Sequence, residues 1–391
     1  MFLLTQESQR GTVPVVIADY SDADLRQQGL DKRQGTDKLD PRSAFNHDRD
    51  RILYSRGFAA LAGKTQVVAS TESGGFHTRL THSLKVEQLG RRITEMLNTF
   101  THRPGPDPDL VSAACLAHDV GHPPFGHAGE AALHDTYCEL AAAQLAADQK
   151  AAQDAPADRA PGQPEAPKPG LAAADTGAAI TDSFEGNAQN LRILSYMECR
   201  KTQSHRGLHL TRATLDACIK YPWPRQAPPK DGSELDRSKK FGIYREDQAV
   251  ADWIYPAGLP TTRPVEEQIM DWADDVTFAC HDVEDFYRGG LIPVGTLLDF
   301  RGGPWGQLSL ANQASPELAR FLQFVEVKWT KKHKPFDREQ AVGAMKKLVE
   351  VIQPGGPYLG LQDDKRLLNS AVSGLIRYFL KGLARIFRGM L

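Results

Sequence analysis

The chain has 391 residues, enough for one large domain or two ordinary ones, and a core of that size needs no disulfide staples. A formal net charge of −2, from 47 basic and 49 acidic residues, argues against a protein held to nucleic acid or membrane by bulk electrostatics, though it leaves room for a local basic groove. The five cysteines, Cys115, Cys138, Cys199, Cys218 and Cys280, form no CxxC pair, which fits free and mostly buried thiols in a reducing compartment. Cys115 stands in an apolar run and reads as packing. The start, Met1-Phe2-Leu3-Leu4, turns polar at once, so no signal peptide is expected. No apolar run approaches the length of a membrane span, and the expected location is cytoplasmic.

Residues 1–45 are polar and broken by Gly and Pro, with a β-like run at Val13–Ile17, and read as an extended or partly ordered lead. The pattern turns helical from Arg49 to Leu61. Thr81–Phe100 reads as a long amphipathic helix, with Leu84, Leu89, Ile93 and Leu97 on one stripe. Pro104-Gly105-Pro106 ends it, and Asp107 or Asp109 can cap the next helix, Leu110–Asp119, which is nearly all apolar and should be buried. Gly121 and Pro123-Pro124 break that helix into a loop before another begins near His127. In residues 141–180, Ala, Pro, Asp and Gln dominate and large apolar side chains almost vanish, so this stretch reads as a flexible insertion. Helical pattern resumes at Phe184, a Pro-rich polar loop spans Pro222–Ser238, Val265–Tyr287 is a strong helix, and a last one covers Leu367–Leu391. Strand signals are few and no repeat is evident. The expected class is all-α.

Two stretches carry the chemistry: Arg79-Leu80-Thr81-His82, and His118-Asp119-Val120-Gly121-His122-Pro123-Pro124-Phe125-Gly126-His127. Histidines in series gain nothing in a packed core, because each buried ring nitrogen needs a partner. They suit metal binding and proton movement. Adjacent His118 and Asp119 can both reach one cation, and imidazole with carboxylate favours a divalent first-row metal over calcium. His82 lies on a polar strip of the preceding helix. An acidic ligand is expected from Asp271-Trp272-Ala273-Asp274-Asp275. Asp274, Phe278 and Asp282, spaced four apart, share a face with two acids, which favours Asp274; Asp275 reads as exposed or as an outer carboxylate. His127 and Glu130, three apart at a helix start, can hydrogen-bond, which fixes a tautomer and raises the basicity of the ring. Glu130 also suits the helix dipole there. Phe278 fits either a site-facing ring or plain core.

With these residues in view, the chain resembles the deoxyguanosine-triphosphate triphosphohydrolase family of HD-domain phosphohydrolases. The resemblance rests on the pattern His82…His118-Asp119…Asp274 and on longer strings. These are Lys64-Thr65-Gln66-Val67, Thr78–Ser83, His118–Glu130, Phe184-Glu185-Gly186-Asn187-Ala188-Gln189, Leu210–Leu215 and Ala273-Asp274-Asp275, in family order over roughly 45–290. It implies an HD-domain helical fold with loop insertions: a lead over 1–45, a catalytic core over 46–300 carrying the 141–180 insertion, and a C-terminal helical region over 301–391 that reads as curtailed. It implies hydrolysis of a deoxynucleoside triphosphate at the α-phosphorus to deoxynucleoside and triphosphate.

By the same resemblance, His82, His118, Asp119 and Asp274 would hold a metal, and His127 with Glu130 would transfer protons. His122 and Arg79 would contact phosphate oxygens. Asn187, Lys220, Tyr221 and Lys240 would hold the rest of the triphosphate, Gln66 and Asp282 the sugar 3′-hydroxyl, and Phe278 would stack on the sugar. One divalent ion per site is implied, from Mn, Mg, Fe, Co or Zn, which the donors do not separate, with further Mg²⁺ on the triphosphate as an option. A dimer-based homo-oligomer, with a hexamer as one form, and an allosteric nucleotide belong to the same expectation; single-stranded DNA has no support and no membrane is expected. The family's Phe-Arg-Arg-Leu is here Phe58-Ala59-Ala60-Leu61, and its sugar-facing Tyr is here Phe278. Two other readings remain: an HD phosphohydrolase acting on nucleoside monophosphates or cyclic nucleotides, and a nucleotide sensor without turnover.

Overall fold

The computed structural model describes residues 20–28, 39–64, 66, 76–100, 105–153, 182–199, 206–227, 237–292, 298–300, 308–310, 316–331, 335–352 and 358–390. The expected run Val13–Ile17, most of the insertion and the centre of the Pro222–Ser238 loop lie outside these residues. The helices are α1 (Ala44–Leu53), α2 (Arg56–Ala60), α3 (Arg79–Asn98), α4 (Pro108–Ala117), α5 (Gly126–Gln153), α6 (Gly186–Arg192), α7 (Arg212–Ala217), α8 (Gln248–Ile254), α9 (Val265–Arg288), α10 (Pro316–Lys331), α11 (Arg338–Ile352) and α12 (Gln362–Met390). Among the described residues the only strands are β1 (Leu298–Phe300) and β2 (Leu308–Leu310), an antiparallel pair with Asp299 opposite Ser309. The fold is all-α, and no helix among the described residues is long and apolar enough to cross a membrane.

The chain falls into two compact units. The first comprises Met1–Ser21, Gln66–Leu116 and Pro264–Leu391. Its centre is α3 packed along α9, with α12 against both and α11 against α12. A capping box starts α3: the Thr78 hydroxyl accepts from Thr81 N–H at 3.2 Å, and Thr78 N–H donates to the Thr81 hydroxyl at 3.0 Å. The buried stripe of α3 is His82, Val86, Leu89, Gly90, Ile93 and Leu97, whereas Leu84 is exposed. The stripe expected from sequence was wrong at Leu84 because a step of five residues, to Leu89, turns the helix about 140° away. Gly90 lets α3 approach closely: a Cβ there would lie 2.6 Å from Cys115 Sγ on α4 and 3.6 Å from Ala273 Cβ on α9. Asp107 is the cap of α4, accepting from Asp109 N–H at 2.7 Å and Leu110 N–H at 3.3 Å, while Asp109 pairs with Arg91.

The second unit comprises Asp22–Thr65 and Ala117–Arg263. On α1, buried Asp48 accepts from the Thr211 amide and hydroxyl, each at 2.7 Å, and pairs with Arg51 at 3.0 Å, tying α1 to the cap of α7. Part of the expected lead is ordered here: Gln27 is buried and bridges Thr211. α5 runs into the expected insertion as far as Gln153, with mostly exposed side chains over 141–150. Alanine is the strongest helix former and needs no burial to remain helical, so the shortage of large apolar residues did not mark the boundary.

Candidate functional site

In the first unit, α3 and α9 bring His82 and Asp274 together: His82 Nε2 lies 2.9 Å from Asp274 Oδ1. His82 is buried, Asp274 is partly accessible and Asp275 is exposed. The other ring nitrogen, His82 Nδ1, meets His281 Nδ1 at 3.2 Å. Burial, with His77 and Lys85 nearby, pushes the His281 imidazole down to about 2, so its neutral ring can accept from His82 Nδ1–H. His281 stacks on His77 at 3.7 Å. Lys85 donates to His77 Nε2 at 2.7 Å and His77 Nδ1 donates to Asp285 Oδ1 at 2.9 Å, a relay that locks the His77 ring.

Sequence reasoning missed His281. The step from Asp274 to His281 is seven residues, two helical turns, and leaves the residues about 20° apart around α9, closer than the about 80° that separates Asp274 from Asp282. That i, i+7 relation was the available signal. His77 and Asp285 had none, because their pairing is long-range.

Phe278 is 40% exposed, and its ring sits edge-on to His82 at 6.5 Å between centroids. Arg79 is buried on α3. Gln66 Oε1 and Asp282 Oδ1 are buried with no hydrogen-bond partner among the described residues. Burial, together with the charge of Asp285, raises the Asp282 carboxyl to about 6.

In the second unit, His118 and Asp119 stand in the turn just past α4 rather than on the helix, and both are largely buried. Leaving the helix frees both side chains from its fixed radial directions. His118 Nε2 is 3.7 Å from Asp119 Oδ2, and His122 Nδ1 is 3.3 Å from Asp119 Oδ1. Gly121 is required here, since a Cβ would lie 2.1 Å from Gly186 O and 2.3 Å from Asn190 N. Phe125 and Gly126 take left-handed φ of 66° and 57° to turn the chain into α5.

On the first turn of α5, His127 Nδ1 lies 3.1 Å from Glu130 Oε2. The His127 side chain is 75% exposed while Glu130 is buried. Burial alone would raise the Glu130 carboxyl, but hydrogen bonds from His127 and Lys240 and the Lys240 charge hold it well below the usual carboxylate range.

Lys240 Nζ donates to Glu130 Oε1 at 2.9 Å and to Glu185 Oε1 at 3.1 Å. Burial opposes its charge, and the two carboxylates more than compensate, raising its pKa. Glu185, fully buried, caps α6 by accepting from Asn187 and Ala188 N–H, and it also takes the Asn187 side-chain amide at 2.9 Å. Glu185 stands two places before Asn187 in a recognised string, yet its role as hub was not readable, because Lys240 and Glu130 reach it from distant parts of the chain. Lys220 and Tyr221 follow α7, half-buried, with the Tyr221 ring 5.6 Å from Trp223. Ala59 and Ala60 are exposed on α2, so the absent arginines would have stood at the surface.

The HD domain model matches residues 79–156, the span holding Arg79, His82, His118, Asp119, His122, His127 and Glu130. The chain is 40% identical over 295 residues to a deoxyguanosinetriphosphate triphosphohydrolase-like protein of Streptomyces coelicolor, covering 74% of this chain and 56% of that protein. Proteins of the same description from Corynebacterium glutamicum and Bifidobacterium longum are 37% and 36% identical, over 72% and 67% of this chain and 55% and 46% of their own lengths. This chain belongs with the deoxyguanosinetriphosphate triphosphohydrolase-like HD-domain proteins. It spans about half the length of these curated relatives. HD domains bind divalent metals, and this HD-domain chain has the donors for one. The His82–Asp274 contact sets a nitrogen and an oxygen donor side by side, and the buried His118-Asp119 pair offers the same nitrogen and oxygen chemistry.

Proposed function

We propose that this dGTPase-like chain hydrolyses deoxynucleoside triphosphates at the α-phosphorus, releasing deoxynucleoside and intact triphosphate, with dGTP or dNTPs generally as substrate. The observation that carries the reading is the His127–Glu130 pair: an exposed imidazole whose Nδ1 is held by a buried, ionised carboxylate. The remaining ring nitrogen is then available for proton transfer. Its task is to protonate the departing 5′-oxygen as the P–O5′ bond breaks and water adds to phosphorus. Glu130 stays ionised and stabilises the imidazolium.

His82, His118, Asp119 and Asp274 are the proposed holders of a divalent ion, which when bound polarises the α-phosphoryl group. Arg79 and His122 are assigned to phosphate oxygens, and Asn187, Lys220, Tyr221 and Lys240 to the remaining phosphates. For Lys240 this means leaving, or sharing, its two carboxylate partners. The unpartnered acceptors of Gln66 and Asp282 support their assignment to the sugar 3′-hydroxyl, and Phe278 to the sugar face. The catalytic core is assigned to 46–300.

The test is to incubate the chain with each dNTP and Mn²⁺ or Mg²⁺ and analyse the products. Triphosphate is expected. Inorganic phosphate from monophosphates or cyclic nucleotides, or dNTP binding with no turnover, would overturn the reading. His127→Ala is expected to retain dNTP binding and lose about 10²–10⁴-fold in turnover.

A further inference from the structure

We propose that His122, His127 and Glu130 form a second cation site that takes a transition metal of the zinc class and, when filled, silences proton transfer by His127. Its inhibitory consequence rests on the function proposed above; the binding itself does not.

One ligand atom from each of these residues falls within 4.8 Å of the others. Two imidazoles and a carboxylate are a zinc donor set, as soft and hard character and tetrahedral preference require. The separation of His127 Nδ1 from Glu130 Oε2, 3.1 Å, is near the about 3.3 Å edge of a tetrahedron with bonds of about 2.0 Å. An ion can therefore replace the proton this pair shares with little rearrangement. The His122 and His127 rings cross at 65° with centroids 5.4 Å apart, so they do not stack and can both turn a nitrogen to one point. His122 Nδ1 lies 3.3 Å from Asp119 Oδ1, the kind of carboxylate contact that fixes a ligating ring. The exposure of His127 provides an entry path and leaves space for water as a fourth ligand.

Two features set the strength of the site. Lys240 occupies Glu130 Oε1 and leaves Oε2 as the oxygen facing His127. Its positive charge opposes a second cation nearby, which makes this site weaker than one built from His82, His118, Asp119 and Asp274. Coordination of the His127 ring removes either its lone pair or its Glu130 hydrogen bond. Proton transfer needs both.

The experiment titrates Zn²⁺ into metal-stripped protein, read by calorimetry and by metal content after desalting. Wild type is expected to bind two equivalents with different affinities. His127→Ala and Glu130→Gln are expected to lose the weaker one, His118→Ala the tighter one. Lys240→Met is expected to keep both and tighten the weaker. In turnover assays, Zn²⁺ beyond the first equivalent is expected to lower the rate by about 10²-fold, the worth of a positioned acid–base group.

A single equivalent in wild type, or two retained in both His127→Ala and Glu130→Gln, overturns the proposal. Should His127→Ala fail to fold, Glu130→Gln and His122→Gln carry the same expectation. A chain that binds two equivalents but releases no triphosphate loses the proposed function and keeps this site; a chain that releases triphosphate and binds one does the reverse.

Discussion

At the scale of single residues, two aspartates on α9 differ sharply in environment. Asp274 meets His82 at 2.9 Å, whereas its neighbour Asp275 is exposed. Asp274→Asn is therefore expected to weaken metal binding strongly, because it removes a charged donor from the imidazole–carboxylate pair, and Asp275→Asn is expected to leave metal content near wild type. Metal analysis of the two purified variants checks this; loss of metal in Asp275→Asn alone would reverse the assignment.

Asp282 offers a test through pH. Its carboxyl titrates near 6 in the folded chain against an ordinary value of 3.8, because burial and Asp285 disfavour its charge. The folded state thus binds the proton more readily than the unfolded chain. Stability associated with this group is fully present below the ordinary value and is lost as pH rises through about 6. Melting curves of wild type and Asp282→Asn should coincide near pH 4 and separate above it, with the variant the more stable at pH 7. A constant difference across that range would show that Asp282 does not carry the effect.

At the scale of elements, the close approach of α3 to α4 and α9 depends on Gly90. Gly90→Ala would set a Cβ 2.6 Å from Cys115 Sγ and 3.3 Å from Val111 Cγ1, both fully buried. Overpacking of this kind costs about 1–3 kcal/mol. Denaturant unfolding should show that loss, and the double variant Gly90→Ala/Cys115→Ala should recover part of it, since the closest atom is then gone. Additive losses in the double variant would mean that the helices had already moved apart. A comparable change at Gly121 should not be rescued by any side-chain truncation, because there the clash is with the backbone of Gly186 and Asn190.

At the scale of the whole molecule, a divalent ion on buried ligands should couple to folding. A ligand that binds only the folded chain raises stability by about 2.7 kcal/mol at a hundredfold excess over its dissociation constant. Chelation is expected to lower Tm, readdition of Mn²⁺ to restore it, and His118→Ala to melt at the same temperature with or without added Mn²⁺. An unchanged Tm on chelation of wild type would count against the assigned ligands.

What the sequence alone determined is what short-range geometry controls. Helix pitch places His127 and Glu130 on one face three residues apart, marks a helix over Val265–Tyr287 that the structure ends one residue later, at Arg288, and makes α4 an apolar, buried segment. Where local rules were applied too loosely they failed: at Leu84, five residues from its supposed partner, and at Gln153, where alanine kept α5 helical without burying it. Tertiary structure decided the rest. Lys240 and Glu185 reach Glu130 from 110 and 55 residues away, and His281 reaches His82 across 199 residues of chain. No periodicity relates such positions. Their meeting follows from how helices pack, and packing is set by the sum of many weak contacts rather than by the spacing of the residues that meet.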